Sequence, residues 1–396
     1  MKNLSGPVRV LIGLCALVYF LDGLIHSILG PLAPEIARSL HLGKSELGPI
    51  FSANLIGQCI GLVAFPFMAV RKGERAVVIA CVVGFGLAQS ATALSEGATA
   101  LFVWRLITGV FLGGCLPSCL SLVTVAAPAE RRGLATMVLF TGYGLGATVA
   151  GIVATAFTGL GGWRASMVVV GVACLITAVL AWIWLEDASP SPHSTEKPNA
   201  LLILSRPYAV GTLMLWVLFI SMLTLSYCLN SWLPTLLVEV GRDEHFAAMS
   251  VTVFSLGGII AALGVGVLID RIGATRTLVS FLAISTALLF LIGQLLASAS
   301  AELLMVLLAV CGFFVLGSYG GVNVVLAGFY PASLRAAGIG WTKSVGRIGT
   351  LVTPVLIGFG LSAGIAETSI MSMFALPALL SAVSLVVIAV FTPRAR

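Results

Sequence analysis

The sequence predicts an all-α membrane protein of twelve transmembrane helices in two pseudo-symmetric six-helix bundles. Composition is the first observation: of 396 residues 59% are hydrophobic and 9% are charged. Soluble domains carry about 25% charged residues, and no soluble fold hides that much apolar surface. The second observation is repetition of apolar stretches of about 20 residues, the length that crosses a ~30 Å hydrocarbon core. The third is an echo between the two halves of the chain.

The first stretch, 8–30, is too long for a signal-peptide core and lacks a small-residue cleavage site, so it reads as a retained helix. The second, 47–70, runs into the basic loop "VRKGER". Stretches at 76–95 and 99–126 follow, the latter carrying Arg105 in "LFVWRLITGVFLGG". The fifth, 135–158, contains "GYGLGATVAG", and the sixth is 165–185. Gly109 with Gly113 and Gly142 with Gly146 are small-xxx-small pairs, each on one helix face, as close helix packing requires. The second set lies at 210–237, 247–269, 277–297, 302–328, 336–360 and 369–391.

Between the sets runs "EDASPSPHSTEKPNALLILSRPYA", 186–209, rich in Ser and Pro. It reads as a cytoplasmic linker joining an N-terminal bundle, 1–185, to a C-terminal bundle, 210–396. "VRKGER" at 70–75 corresponds to "DRIGATR" at 270–276 at an offset of 200, and "APAERRG" at 127–133 to "YPASLRA" at 330–336 at 203. Such a parallel repeat places a substrate site near mid-membrane between the halves.

The net charge of +6 is read by location. With the N-terminus inside, fourteen of the 21 Lys and Arg residues are cytoplasmic. Arg38, Lys44, Arg164 and Arg242 fall outside, and Arg105, Lys343 and Arg347 lie within spans. The excess is therefore a topology signal and implies no nucleic acid. The eight cysteines all fall within spans, with no CxxC pair and no His at metal-ligand spacing, and read as small core residues with no metal or cofactor. No GxSxG, HExxH or P-loop occurs, so neither a hydrolase nor an ATP-driven pump is supported. A membrane-embedded enzyme would have only Asp22 with His26 to work with, and no nucleophile at a readable spacing.

Fourteen of the fifteen acidic residues fall in loops, at span ends or in the linker, and Asp22 alone lies deep. A carboxylate at mid-membrane is disfavoured by roughly 2.5 to 3.5 kcal/mol on insertion scales, which makes it a functional candidate by default. From Val8, Asp22 is ~21 Å from the cytoplasmic edge, and Arg105 is ~9 Å in from the outside, the same level in a ~30 Å core. An ion pair is geometrically possible. The opposite charge favours the ionised aspartate while desolvation favours the neutral one, a balance suited to proton uptake and release. At the 203 offset Asp22 maps to Leu225 and Arg105 to Leu308, so the shared scaffold requires neither charge. His26, one turn after Asp22, can relay a proton or line the site.

Lys343 and Arg347 in "GWTKSVGRIGTLVTP" are one turn apart and repel, so an anion belongs near them. Lys343 reads at ~11 Å depth and Arg347 at ~17 Å. Arg347 can grip a carboxylate bidentately, whereas Lys343 can also snorkel to the interface. Three deep cations against one deep anion select an anionic substrate. Tyr143, Tyr227, Asn230, Trp232, Tyr319 and Asn323, with Asn54 and Gln58, offer stacking and hydrogen bonds suited to a hydroxylated planar ring, and also suit helix packing.

These features resemble the major facilitator superfamily over essentially the whole chain. Its loop signature G-x-x-x-D-R-x-G is intact as Gly266, Asp270, Arg271 and Gly273, the loop the resemblance assigns to conformational switching, while Pro66 and Val70 replace the Gly and Asp in the first half. More specifically, "SWLPTLL" (231–237), "YPASLRAAGIGW" (330–341) and "GRIG" (346–349) resemble the aromatic acid/proton symporter family. Its first-helix D-G-x-D is represented by Asp22 and Gly23, with Ile25 in place of the second Asp. The resemblance implies a secondary transporter that imports an organic anion, an aromatic carboxylate, with protons by alternating access. Efflux of a drug or metabolite against protons is the alternative, and the fifth helix lacks the glycine-proline signature usual in such exporters; proton-independent anion exchange is another. The expected setting is a bacterial-type inner membrane, multi-pass, with both termini cytoplasmic and the chain a monomer in the lipid bilayer.

Overall fold

The computed structural model describes residues 6–128, 131–157, 161–186, 200–206 and 208–391. Most of the expected linker, 187–199, lies outside the described residues, as do Lys2, Arg394 and Arg396. The chain divides into two compact units, Met1–His193 and Ser194–Arg396.

Unit 1 contains α1 (Gly6–Ser39), α2 (Lys44–Lys72), α3 (Glu74–Thr92), α4 (Ala98–Ala126), α5 (Arg132–Ala156) and α6 (Gly162–Trp184). Unit 2 contains α7 (Ala209–Glu239), α8 (Glu244–Ile272), α9 (Ala274–Leu295), α10 (Ala301–Phe329), α11 (Ala332–Ser362), α12 (Glu367–Met373) and α13 (Ala375–Phe391). Twelve spans among the described residues are long and apolar enough to cross a membrane, α12 and α13 together forming the last.

The expected first span, 8–30, continues to Ser39 through Pro31 and Pro34. Prolines are tolerated in membrane helices because neighbouring groups satisfy the freed carbonyls. At 1.5 Å per residue α1 is roughly 51 Å long, so its ends stand beyond a ~30 Å core. The last span is interrupted at Phe374, where the expectation was one unbroken stretch.

Within unit 1, α1 packs chiefly on α5, α2 on α4, and α3 on α4 and α6. Within unit 2 the equivalent pairs recur: α7 with α11, α8 with α10, α9 with α10 and α13. Glycine makes the closest crossings possible. A Cβ at Gly109 or Gly113 would collide with the backbone oxygen of Asn54 or Gln58 on α2, and one at Gly142 or Gly146 with that of Ala16 or Phe20 on α1. In lipid, where apolar surface alone gives no preference for a neighbouring helix, such backbone approach is what holds helices together.

Gly73 and Gly273 occupy corresponding loops with φ of 84° and 90°. Their ψ values of 155° and 148° put both in a region open essentially to glycine alone, which explains the glycine in each half of the repeat. Two arginines on the expected outer side are held by backbone oxygens. Arg164 donates from Nε to the Ala93 carbonyl at 3.1 Å and from Nη2 to that of Ser95 at 3.2 Å, beyond the end of α3. Arg242 donates to the Ala299 carbonyl at 2.6 Å, beyond the end of α9. Each cation answers carbonyls of the turn that follows a helix, where the backbone has left the helical ladder.

The end of the expected linker is structured. Residues Ala200–Leu204 form a 3-10 turn, and Ile203 is buried against α7 and α11. Thr212 Oγ1 donates to the Ile203 carbonyl at 2.8 Å and lies 3.0 Å from the Tyr330 hydroxyl, so Tyr330 of "YPASLRA" helps dock the linker onto unit 2.

Candidate functional site

In unit 1 the candidate residues radiate from α1. Tyr19, Asp22 and His26 are spaced three and four residues apart and share a helix face. Asp22 is 6% exposed, whereas His26 is half-buried. Gln58 Nε2 on α2 approaches His26 Nδ1 at 3.4 Å. The Tyr143 ring on α5 lies 6.2 Å from the His26 ring and 5.3 Å from that of Tyr19, centroid to centroid. The α5 glycines position Tyr143: with Gly142 and Gly146 against α1, and Gly23 against the Tyr143 backbone, the two helices meet without intervening side chains.

Arg105 is 1% exposed, the most enclosed cation among the described residues. The depth of Arg105 in its span calls for a partner on α1, and the structure supplies one, a backbone oxygen rather than the Asp22 carboxylate. Nη2 donates to the Ile25 carbonyl at 3.0 Å. Nη1 donates at 3.0 Å to Oε1 of Gln89 on α3, and Nε is buried with no hydrogen-bond partner. Sequence reasoning missed Gln89. The available signal was an amide fifteen residues into an apolar helix that carries few other polar side chains.

The cysteines read singly in the sequence also converge. Cys115 and Cys119 Sγ atoms lie 3.9 Å apart on α4, and both residues are buried, as is Cys15. Among the described residues no group of three or more His, Cys, Asp or Glu side chains is placed to hold a metal ion.

In unit 2 the "GRIG" motif has a packing role that orients its arginine. A Cβ on Gly346 would stand 2.9 Å from Leu223 Cδ1 and 3.0 Å from Phe219 Cβ, and one on Gly349 would collide with Thr224 Oγ1. The glycine face of α11 is therefore pressed on α7. Arg347, between the two glycines, is half-buried, and Lys343 one turn earlier is exposed. Tyr319 of α10 is within electrostatic range of Arg347 and of Tyr227 on α7, so three helices contribute to this group. Asn323 Nδ2 donates back to the Tyr319 carbonyl at 2.8 Å. Asn230 Nδ2 likewise donates to Ser226 at 2.8 Å, which leaves Oδ1 buried with no hydrogen-bond partner. Trp232 is 0% exposed and sits in the core of unit 2. Gly266, Asp270, Arg271 and Gly273 are all exposed at the end of α8.

Comparison with known proteins places this arrangement. The sequence profile of the Major Facilitator Superfamily matches residues 15–251 and 215–396. The chain is 28% identical over 405 residues to a gallate transporter of Pseudomonas putida, covering 94% of this chain and 90% of that one. It is 32% identical over 369 residues to a 3-(3-hydroxy-phenyl)propionate transporter of Escherichia coli, covering 93% and 91%. Among solved structures, a D-xylose-proton symporter superposes with a TM-score of 0.78 at 16% identity, covering 96% of this chain and 97% of the other, which is a likeness of fold. Twelve apolar spans, a repeated helix pairing and these matches across the whole length make the chain a multi-pass membrane transporter, not an enzyme, that belongs to the Major Facilitator Superfamily.

Proposed function

We propose that the chain imports an aromatic carboxylate together with protons. The observation that carries this reading is the division of charge: one buried carboxylate in unit 1, Asp22, and a half-buried guanidinium in unit 2, Arg347, beside Tyr319 and Tyr227. The names of the relatives, a gallate transporter and a 3-(3-hydroxy-phenyl)propionate transporter, support the same substrate class.

Asp22 takes a proton from the outside, which removes the unfavourable buried charge. Arg347 grips the substrate carboxylate through two parallel N–H···O bonds, a geometry its planar fork supplies and an ammonium does not. In unit 2 Tyr227 and Tyr319 offer faces and hydroxyls for a hydroxylated ring, and the acceptor Oδ1 of Asn230 takes a ring hydroxyl. In unit 2 Lys343 adds positive potential and Asn323 and Trp232 complete the set; in unit 1 Arg105 tunes Asp22 and His26 passes the proton. Alternating access, with the exposed Gly266–Gly273 loop as the switch, releases substrate and proton to the cytoplasm. The working setting is a bacterial-type inner membrane, with a monomer whose termini are both cytoplasmic.

Uptake of labelled hydroxybenzoate and benzoate into proteoliposomes, with and without an imposed inward proton gradient, tests the reading. Accumulation that follows the gradient supports symport. Exchange for an internal organic anion with no response to the gradient leaves a cationic exchanger and removes the proton role of Asp22.

A further inference from the structure

Gln89 sits in α3 at 0% exposure and faces the Arg105 guanidinium on one side and Met167 of α6 on the other. A guanidinium carries donors only, so the amide must turn its oxygen toward Arg105. That leaves the amide nitrogen pointing at Met167 Sδ, 2.9 Å away, a weak acceptor. The orientation of Gln89 is thus dictated by the cation. The hydrogen bonds that hold the cation in turn come from two neutral acceptors, Gln89 Oε1 on α3 and the Ile25 carbonyl on α1, and Nε has none.

We infer that Gln89 is a positioning residue that parks the Arg105 guanidinium at the Ile25 carbonyl, three residues along α1 from Asp22, and so sets how strongly Arg105 acts on the Asp22 carboxylate. This inference rests on the proton role proposed for Asp22. Cys115 on α4 is within electrostatic range of Asp22, Cys15 and Cys81, and the other titratable groups on the elements around this stretch of α1 are Tyr19 and His26 on α1 itself, Cys59 on α2, Arg105 and Cys119 on α4, and Tyr143 on α5. From α2 the neighbour of His26 is Gln58, which carries no charge, and α6 meets α1 through Trp163 at Glu35, toward the far end of that helix. Among these groups Arg105 is the permanent cation, and its Gln89 tether can be changed without touching α1 or α4.

Two variants pull the guanidinium in opposite directions. Gln89→Leu removes the acceptor for Nη1 and leaves the Asp22 carboxylate as the strongest alternative within unit 1. Gln89→Glu, nearly the same shape, holds Arg105 through a charge-assisted bond and neutralises it. Uptake of labelled hydroxybenzoate into proteoliposomes is measured against external pH. The expected result is a half-maximal pH lowered by about one unit in Gln89→Leu and raised by about one unit in Gln89→Glu, each a tenfold change in proton activity. Substrate counterflow at fixed pH, which moves no net protons, stays close to wild type in both. Shifts of the same sign, no shift in the isosteric Gln89→Glu, or loss of counterflow in step with uptake would overturn the inference. Asp22→Asn is measured beside them. If it keeps the wild-type pH dependence, the proton role of Asp22 falls and Gln89 with it; if it loses that dependence while both Gln89 variants keep it, the Gln89 inference alone fails.

Discussion

Replacing Arg347 by lysine keeps the charge and removes the fork. In the proposed complex the guanidinium makes two parallel charge-assisted hydrogen bonds to the substrate carboxylate, and an ammonium at the same place makes one in poorer geometry. A hydrogen bond to a charged group is worth about 1.5 to 3 kcal/mol net. Arg347 is half-buried, so water weakens the bond and the lower end applies. About 1.5 kcal/mol is roughly tenfold in affinity. Gly346 and Gly349 clamp α11 on α7 either side of residue 347, so the backbone there stays in place and the loss is confined to the side chain. Saturation kinetics of hydroxybenzoate uptake in proteoliposomes should therefore give a KM about tenfold higher in Arg347→Lys, with a larger rise in Arg347→Gln. Binding of the corresponding neutral aromatic amide, followed as competition, should change little in either. An unchanged KM in Arg347→Gln, or equal losses for the acid and the amide, would refute the assignment of the carboxylate to Arg347.

Asp22→Asn mimics the protonated carboxyl, so substrate counterflow should persist while accumulation driven by a proton gradient disappears; full gradient-driven uptake in that variant would remove Asp22 from the coupling. At Gly109 the backbone of Asn54 leaves no room for a methyl group, and Gly109→Ala should lower stability by about 1 to 3 kcal/mol, seen as a drop in Tm in detergent. Gly13→Ala, where a Cβ meets nothing within 4 Å, should leave Tm unchanged or slightly raised, and equal effects at the two positions would contradict the crossing geometry. Tyr330→Phe deletes the hydroxyl 3.0 Å from Thr212 and should reduce stability by about 1 kcal/mol, with faster proteolytic cleavage near residue 203 as the linker loosens.

By itself the sequence determined the membrane class, the twelve spans and the internal repeat, because span length and hydropathy answer to bilayer thickness and need no knowledge of neighbours. It also singled out Asp22, Arg105 and Arg347, since a charge inside an apolar run is conspicuous in one dimension. The α1 boundary was legible only in part: the prolines at 31 and 34 suggest an end, and neighbours that satisfy the freed carbonyls let the helix run on. Only the tertiary structure decided that Arg105 is held by Ile25 and Gln89, because hydrogen-bond partners 80 and 16 residues away depend on how α1, α3 and α4 pack. It likewise decided that Ile203 anchors the linker on unit 2, and that the "GRIG" glycines are contact points while the arginine between them remains half-buried. Depth in a membrane is a property of one helix, read from its own residues; partnership belongs to a pair of helices, and nothing local to either one encodes it.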